Sequence, residues 1–291
     1  MPDKRELTIF FAFLAVLAFQ FARESAISLK NGILAGEKSA GKTDYFAGVR
    51  IIAKAAIVWD AKENKILFAK NERAQLPLAS LTKIMTTLLS LEEGKGDISV
   101  SKEAVREEGD SGLLVGEHFK TGDLAKLTLV SSANDGARAM AIAFVAAKEA
   151  ERTPLSFTEA MNARAKSMGL SQTYFMNETG LDLSSALPGG YGSAEDMAKL
   201  FYYAVIAHED IFGATSERQI SVSSAEKTHL VKNTNISVGR IPGIIASKTG
   251  FTKLAGGNLA VVASIGLNHP VVVVVLGSTE EDRFLDMDKL M

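Results

Sequence analysis

An α+β fold is predicted, with strands from both ends of the domain joined in one antiparallel sheet beside an inserted helical lobe. Three observations carry this. Apolar, strand-like runs lie near residue 55 and again after residue 244. The long middle, from about 102 to 214, has helical spacing, and clusters of polar, glycine and proline residues separate the pieces. The cleft between lobe and sheet is the expected site, since ligand pockets favour such junctions.

The elements follow in chain order. Lys4 and Arg5 precede an apolar stretch at residues 7–22 in which only Thr8 and Gln20 are clearly polar. This is the pattern of a secretory signal peptide or an N-terminal membrane anchor over residues 1–22. As a helix the apolar stretch would be about 24 Å long, a little short of the roughly 30 Å hydrocarbon core. Cleavage after Ala18 or Ala22 would give a secreted protein. Retention is the expectation, and it leaves the following domain on the outer face of the cell membrane. Residues 23–50, with Gly32, Gly36, Gly41 and Gly48, read as a linker to a domain at 51–291.

Residues 55–59 are apolar and end at Asp60, residues 62–65 are polar, and residues 66–69 are apolar again, which predicts a hairpin. Pro77 closes the next loop. Residues 80–93 then place Leu81, Ile84, Met85, Leu88 and Leu91 at helical spacing. Further helices are expected at 124–129, 137–147, 157–168 and 194–206, the last with Ser193 as cap and Asp196 in its first turn. Residues 177–192, rich in glycine and serine, read as a surface loop. Strands are expected at 244–249, 259–267 and 271–276. The last two are almost continuously apolar and should be central strands covered on both faces. Asn268, His269 and Pro270 connect them. A closing helix at 280–291, acidic at its start where negative charge is favourable, offers Phe284, Leu285, Met287 and Leu290 for packing.

Composition narrows the function. The chain has 291 residues, 47% apolar and 23% charged, as a soluble globular domain does. A net charge of -2 gives no basis for a nucleic-acid partner, which needs concentrated positive charge. With no cysteine there is no disulfide, thiolate chemistry or sulfur-ligated metal. His118, His208, His229 and His269 are widely spaced and lack metal-ligand spacing, so no metal and no cofactor is expected. Residues 36–43 satisfy the phosphate-loop pattern as a string, but a weak strand precedes them and the hairpin of another fold follows, so nucleotide binding is set aside.

Three short motifs carry chemistry. Ser80 starts a helix and Lys83 lies one turn on, on the same face. A serine hydroxyl needs a group to take its proton, and a desolvated amine beside a helix N-terminus can do so. Taken alone, Ser-x-x-Lys is more often a helix-cap serine with a solvated lysine. Residues 131–135, Ser-Ser-Ala-Asn-Asp, interrupt two helical segments. Ser132 could relay a proton and Asn134 could hold a substrate carbonyl and orient Lys83, although such residues also make ordinary helix-to-helix turns. Lys248, Thr249 and Gly250 end a strand, where a lysine and a hydroxyl can grip a carboxylate and glycine lets a substrate backbone approach.

Together, the order Ser-x-x-Lys, Ser-x-Asn, Lys-Thr-Gly resembles the motif set of penicillin-binding proteins and serine β-lactamases. Residues 59–93, 109–139, 180–197 and 243–259 are similar to low-molecular-weight D-alanyl-D-alanine carboxypeptidases, so the likeness covers nearly all of 50–278. The resemblance implies a β-lactamase/transpeptidase-like fold, a five-stranded antiparallel sheet flanked by helices. It implies a serine-type carboxypeptidase that removes the terminal D-alanine of peptidoglycan stem peptides. Ser80 would be the nucleophile, Lys83 its base, and Ser132, Asn134 and Lys248 further catalytic groups. Thr249, Gly250 and Thr252 would bind substrate, with the backbone N–H groups of Ser80 and Thr252 as oxyanion donors. β-Lactams would acylate Ser80, and the protein would act as a monomer.

Two departures from the family stand out. The chain ends at Met291, so the additional β-rich domain and amphipathic C-terminal helix of familiar Gram-negative members are not expected. Residues 244–247 read Ile-Ile-Ala-Ser, whereas members have a glycine close before the lysine. Here Gly243 stands further away, which could alter the strand edge where substrate lies. A DD-endopeptidase cutting cross-links is the alternative reading. A serine β-lactamase is disfavoured, because no Glu-x-x-x-Asn spacing occurs between Ser132 and Lys248. A cell-wall sensor on the same fold would have no need of an intact Ser80, Lys83 and Lys248.

Overall fold

β1 (Ala55–Asp60) and β2 (Lys65–Lys70) form the expected hairpin in the computed structural model, which describes residues 45–291 apart from Lys95 and Asp110. β3 (Leu76–Pro77) leads into a 3-10 turn at Ala79–Leu81 and then helix α1 (Thr82–Glu93). The lobe contributes β4 (Asp97–Ser99), β5 (His118–Lys120), α2 (Thr121–Ser131), α3 (Asn134–Ala150) and α4 (Phe157–Ser167). β6 (Tyr174–Phe175) and β7 (Gly190–Gly192) precede α5 (Ala194–Ala207) and the short α6 (Glu209–Phe212). The chain closes with β8 (Gln219–Ser223), β9 (Thr228–Lys232), β10 (Ile244–Thr252), β11 (Gly256–Ser264), β12 (Pro270–Ser278) and α7 (Asp282–Leu290).

Both ends of the domain meet in a five-stranded sheet of order β10-β11-β12-β1-β2, with every pair antiparallel. β11 and β12 are interior, as their unbroken apolar runs require: Val271 to Leu276 and Leu259 to Ala263 are all buried, whichever face they point to. β10 and β2 are the edges. Helices α5 and α7 pack on the sheet. α1 lies inside the domain, in contact with α2, α3, α4 and α5, and its Ile84, Met85, Leu88 and Leu89 are completely buried. Its polar face is buried too, through Thr82, Lys83, Thr86, Thr87 and Ser90, so that only its C-terminal end, Glu92 and Glu93, is exposed.

Asp286 ties the ends together. Its buried carboxylate accepts hydrogen bonds from the N–H groups of Ile52 (2.9 Å) and Ala53 (2.8 Å) and from Ser278 Oγ (2.7 Å). A polar residue on the packed face of α7 thus satisfies the backbone just before β1, where no strand partner is available.

The insertion that sets residues 244–247 apart is absorbed locally. The β10–β11 register shifts between Ile244 and Ala246, and beyond that bulge the pairing is regular, with Lys248 opposite Ala260 and Thr252 opposite Gly256. The strand edge at Lys248–Thr252 is therefore undistorted. Ser193 caps α5 as expected, accepting from Asp196 N at 3.1 Å.

The surface-loop expectation for 177–192 holds only at its tip. Residues 183–187 are exposed, whereas Glu178, Thr179, Gly180 and 188–190 are buried against α1 and the turn before it. Their polarity serves backbone hydrogen bonds inside the protein. The β8–β9 hairpin was not read from the sequence. The expectations for residues 7–22, for most of the linker and for the glycine-rich string at 36–43 lie outside the described residues. Among the described residues no helix is long and apolar enough to cross a membrane.

Candidate active site

Ser80 sits on the 3-10 turn that opens into α1. The residue before it, Ala79, has φ of +47°, a conformation that costs a residue with a Cβ about a kilocalorie per mole or more. Neighbours hold it there. Asn258, fully buried on β11, donates from Nδ2 to the carbonyls of Pro77 and Leu78 at 3.0 Å each, while its Oδ1 accepts from Gly277 N. On the far side, Gly180 (φ +79°) lies so close that a Cβ there would stand 1.9 Å from Ala79 O. The turn carrying Ser80 is clamped between sheet and loop, as a strained site requires.

Lys83 has no exposed surface. Its Nζ lies 3.0 Å from Ser80 Oγ, 2.6 Å from Asn134 Oδ1 and 2.7 Å from Thr179 O. Two of these neighbours can only accept; Ser80 Oγ can donate. A neutral amine therefore fits without loss: its two hydrogens go to Asn134 and Thr179, and its lone pair faces the serine hydroxyl. Burial brings its pKa down to about 7, against the opposing pull of Glu107, Glu178 and Asp135. That value suits a base at neutral pH.

Ser132 ends α2 in the left-handed conformation (φ +60°, ψ +34°), a place that glycine or asparagine usually takes. The serine brings a hydroxyl there, and Lys248 Nζ lies 2.7 Å from its Oγ. Asn134 begins α3. With its Oδ1 on Lys83, its Nδ2 donates to Glu108 O at 2.7 Å, which fixes the amide's orientation. Lys248 is also buried, and its second contact is Thr249 O at 2.8 Å. Burial first, then the positive charges of Lys83 and Arg283, push its pKa well below the usual lysine range. The sequence reading gave Lys248 two roles, charge for a carboxylate and, with Ser132, a part in proton transfer; burial weakens the first by favouring the neutral amine.

Edge strand β10 forms the other wall. A Cβ on Gly250 would stand 3.2 Å from Ser80 N and 3.0 Å from Leu78 O, so glycine keeps the strand against the Ser80 backbone. Thr249 Oγ1 lies 2.6 Å from Thr234 Oγ1. Thr249 O accepts from Lys248 Nζ on the lobe side, so it faces the cleft. The period of two along a strand turns the Phe251 N–H the same way and the Thr252 N–H toward β11. The Thr252 hydroxyl donates to Asp182 Oδ1 at 2.9 Å and accepts from Ala255 N, bracing the turn to the 177–192 segment. Arg283, on α7, donates to Gly250 O at 2.9 Å.

The eight residues singled out from the sequence come together at one place: Lys83 reaches Ser80 and Asn134, Lys248 reaches Ser132 and Thr249, Gly250 abuts Ser80, and Thr252 lies two residues further along the same strand. Thr252 is at the cleft, but its hydroxyl is committed to Asp182. The motifs did not reveal Thr179, Thr234, Asp182, Asn258 or Arg283. Thr179 acts through a backbone carbonyl, which no side-chain pattern marks. The histidines stand apart: His118 meets Glu226, His229 meets the buried Glu117, and His269 meets Asp60.

A D-alanyl-D-alanine carboxypeptidase family model matches residues 40–280. The chain is 34% identical over 249 residues to the D-alanyl-D-alanine carboxypeptidase DacF of Bacillus subtilis, covering 82% of this chain and 61% of that protein. It is 29% identical to a D-alanyl-D-alanine endopeptidase of Pseudomonas aeruginosa, covering 76% and 70%. Among solved structures it resembles penicillin-binding protein D2 of Listeria monocytogenes in its ampicillin-bound form, with TM-score 0.68, 27% identity and coverage of 84% and 97%. The Streptomyces K15 DD-transpeptidase superposes with TM-score 0.73 at 23% identity, covering 84% and 97%, a likeness of fold.

Proposed function

The chain belongs to the D-alanyl-D-alanine carboxypeptidase family of low-molecular-weight penicillin-binding proteins, and from that premise we propose that it removes the terminal D-alanine of peptidoglycan stem peptides through an acyl-enzyme on Ser80. The observation that carries the reading is a buried lysine, with pKa about 7, whose amine lies 3.0 Å from the hydroxyl of Ser80.

In this reading Lys83 Nζ takes the Ser80 proton as Oγ attacks the carbonyl between the two D-alanines. The oxyanion is held by the N–H groups of Ser80 and Phe251, the cleft-facing residue of β10, in place of Thr252. Ser132, paired with Lys248, relays that proton from Lys83 to the departing amine, which leaves Lys83 neutral again. D-Alanine leaves, a water enters, and Lys83 takes its proton and returns it to Ser80 Oγ as the ester is cleaved. Thr249 holds the terminal carboxylate, and Asn134 orients Lys83 and the substrate. A β-lactam would be opened by the same attack. Residues 51–291 would be the catalytic domain, outside the cytoplasm, with residues 7–22 as its membrane attachment.

The endopeptidase relative in Pseudomonas aeruginosa supports a second reading, cleavage of cross-linked stems by the same groups. Digestion of a stem pentapeptide and of a cross-linked dimer by the purified protein separates the two. Release of D-alanine from the pentapeptide, with the dimer left intact, is expected. Cleavage of the dimer alone would replace the carboxypeptidase reading.

A further inference from the structure

Residues 176–189 form a loop closed on itself. The N–H groups of Met176 and Asn177 donate to Gly189 O at 2.9 and 3.1 Å. Inside the neck, Asn177 Oδ1 accepts from Thr179 N at 3.2 Å and Gly180 N at 2.7 Å, while its Nδ2 donates to Leu181 O at 2.9 Å. One side chain thus fixes the backbone from 177 to 181. Two groups of this loop reach the chemistry. Thr179 O accepts from Lys83 Nζ. Asp182, next after the Asn177 turn, reaches β10: its Oδ1 accepts from the Thr252 hydroxyl at 2.9 Å and its Oδ2 from Leu254 N at 3.2 Å.

We propose that Asp182 is a positioning residue for the oxyanion hole: through Thr252 and the β10–β11 turn it holds the Phe251 N–H in place across from the N–H of Ser80. The inference rests on the acyl-enzyme reading and gives it a residue that touches neither the substrate nor Ser80. β10 is an edge strand, paired on one side with β11. Its other side carries the Phe251 N–H toward the cleft, so the ladder alone does not set how far the strand end stands from Ser80. The Asp182 carboxylate does, with bonds to the last residue of β10 and to the turn beyond it, each charge-assisted. The Thr252 hydroxyl also accepts from Ala255 N at 3.1 Å, so it serves as the handle by which the strand end is held. Oxyanion donors act only when already placed, and a misplacement of about 1 Å costs on the order of 100-fold in rate. Because the same loop supplies an acceptor to Lys83, base and oxyanion donor are positioned from one rigid segment. The Asn177 turn does not depend on Asp182, so loss of the carboxylate should free the strand and leave Lys83 as it is.

The test follows acylation by a chromogenic β-lactam in stopped flow, across pH, for full-length wild type, Asp182→Ala, Thr252→Val, Thr252→Ser and the double variant Asp182→Ala/Thr252→Val. It reads the limiting acylation rate, the Kd of the complex that precedes it, and the acid limb of the rate. Asp182→Ala should slow acylation about 30-fold, with Kd within about twofold of wild type and the acid limb unmoved. Thr252→Val should cost about tenfold and Thr252→Ser, which keeps the hydroxyl, less than about threefold. The double variant should be within about threefold of Asp182→Ala, because both changes cut one contact. Additive losses would give the Thr252 hydroxyl to the substrate and overturn the latch. So would an unchanged rate, a loss confined to Kd, or an acid limb that moves with Asp182→Ala, which would place the effect on Lys83. If Asp182→Ala does not fold, Thr252→Val against Thr252→Ser decides, and equal losses in the two overturn the latch. A wild type that no β-lactam acylates would overturn the Ser80 reading and the latch with it, whereas an acylated wild type whose variants keep its rate overturns the latch alone.

Discussion

The Nζ of Lys83 donates to the carbonyl of Thr179 at 2.7 Å, joining the helix that follows Ser80 to a loop 96 residues further along the chain. The same loop strand is fixed one residue earlier, where Thr86 Oγ1 donates to Glu178 O at 2.7 Å. With Asn134 as its other acceptor, the amine has one direction left, toward Ser80. The lysine's burial and its aim therefore come from the same packing, and the pH behaviour of the site follows from it.

Lys83 serves as a base only when neutral. Its folded pKa of about 7 is lower than that of an ordinary lysine, so the working form predominates above pH 7 and is lost as pH falls through that value. The rate of Ser80 acylation should be level above about pH 8 and fall about tenfold per pH unit well below 7. A stopped-flow pH profile with a chromogenic β-lactam measures this. A profile flat down to pH 5 would exclude Lys83 as the group that titrates.

Glu178 should tune that pKa. Its carboxylate, nearly buried, pairs with Arg138 Nη1 at 2.8 Å, and Arg138 also meets Glu103. Glu178 raises the pKa of Lys83, and Arg138 partly compensates its charge. Removing the guanidinium by Arg138→Gln should therefore move the acid limb up by about 0.5 pH unit, and Glu178→Gln should move it down by a similar amount. Shifts of the same sign in both variants would show that the pair acts on the fold and not through charge.

Gly250 keeps β10 against Ser80. In Gly250→Ala the new Cβ would meet Leu78 O at 3.0 Å and Ser80 N at 3.2 Å, both backbone atoms that cannot turn away. Acylation should fall by about 100-fold, from displacement of one oxyanion donor, while thermal unfolding changes little. Retained acylation would mean that the strand is free to move outward.

Asp286 is a stability element remote from the chemistry. Asp286→Ala leaves the N–H groups of Ile52 and Ala53 without their acceptor in a buried setting, and the loss should be about 2–4 kcal/mol in denaturant unfolding. Below the unfolding transition, penicillin acylation should be close to wild type. A loss under 1 kcal/mol would show that water replaces the carboxylate.

Much of this was legible in the residues. The valine run at 271–275 could only be a central strand, and the spacing of Leu81, Ile84, Met85 and Leu88 could only be a buried helix. Each motif residue except Gly250 has a side chain whose chemistry announced it. What stayed hidden acts differently. Thr179 contributes a carbonyl, Asn258 braces a strained turn from another strand, and Thr234 gains meaning only by facing Thr249. The polar run at 177–180 resembles a surface loop because its polarity is spent on internal hydrogen bonds. The Thr252 N–H was taken from the family resemblance, as the residue two past Gly250, whereas the strand's alternation turns the Phe251 N–H to the same side as Thr249 O.

The most direct test of the account is the site of covalent attachment. The full-length protein is incubated with labelled penicillin, digested, and read by mass spectrometry, alongside Ser80→Ala. A single adduct on Ser80, absent from a Ser80→Ala protein that unfolds like wild type, is the predicted result. An adduct on Ser131 or Ser132, or labelling that survives Ser80→Ala, would contradict the assignment of Ser80 as nucleophile and the mechanism built on it.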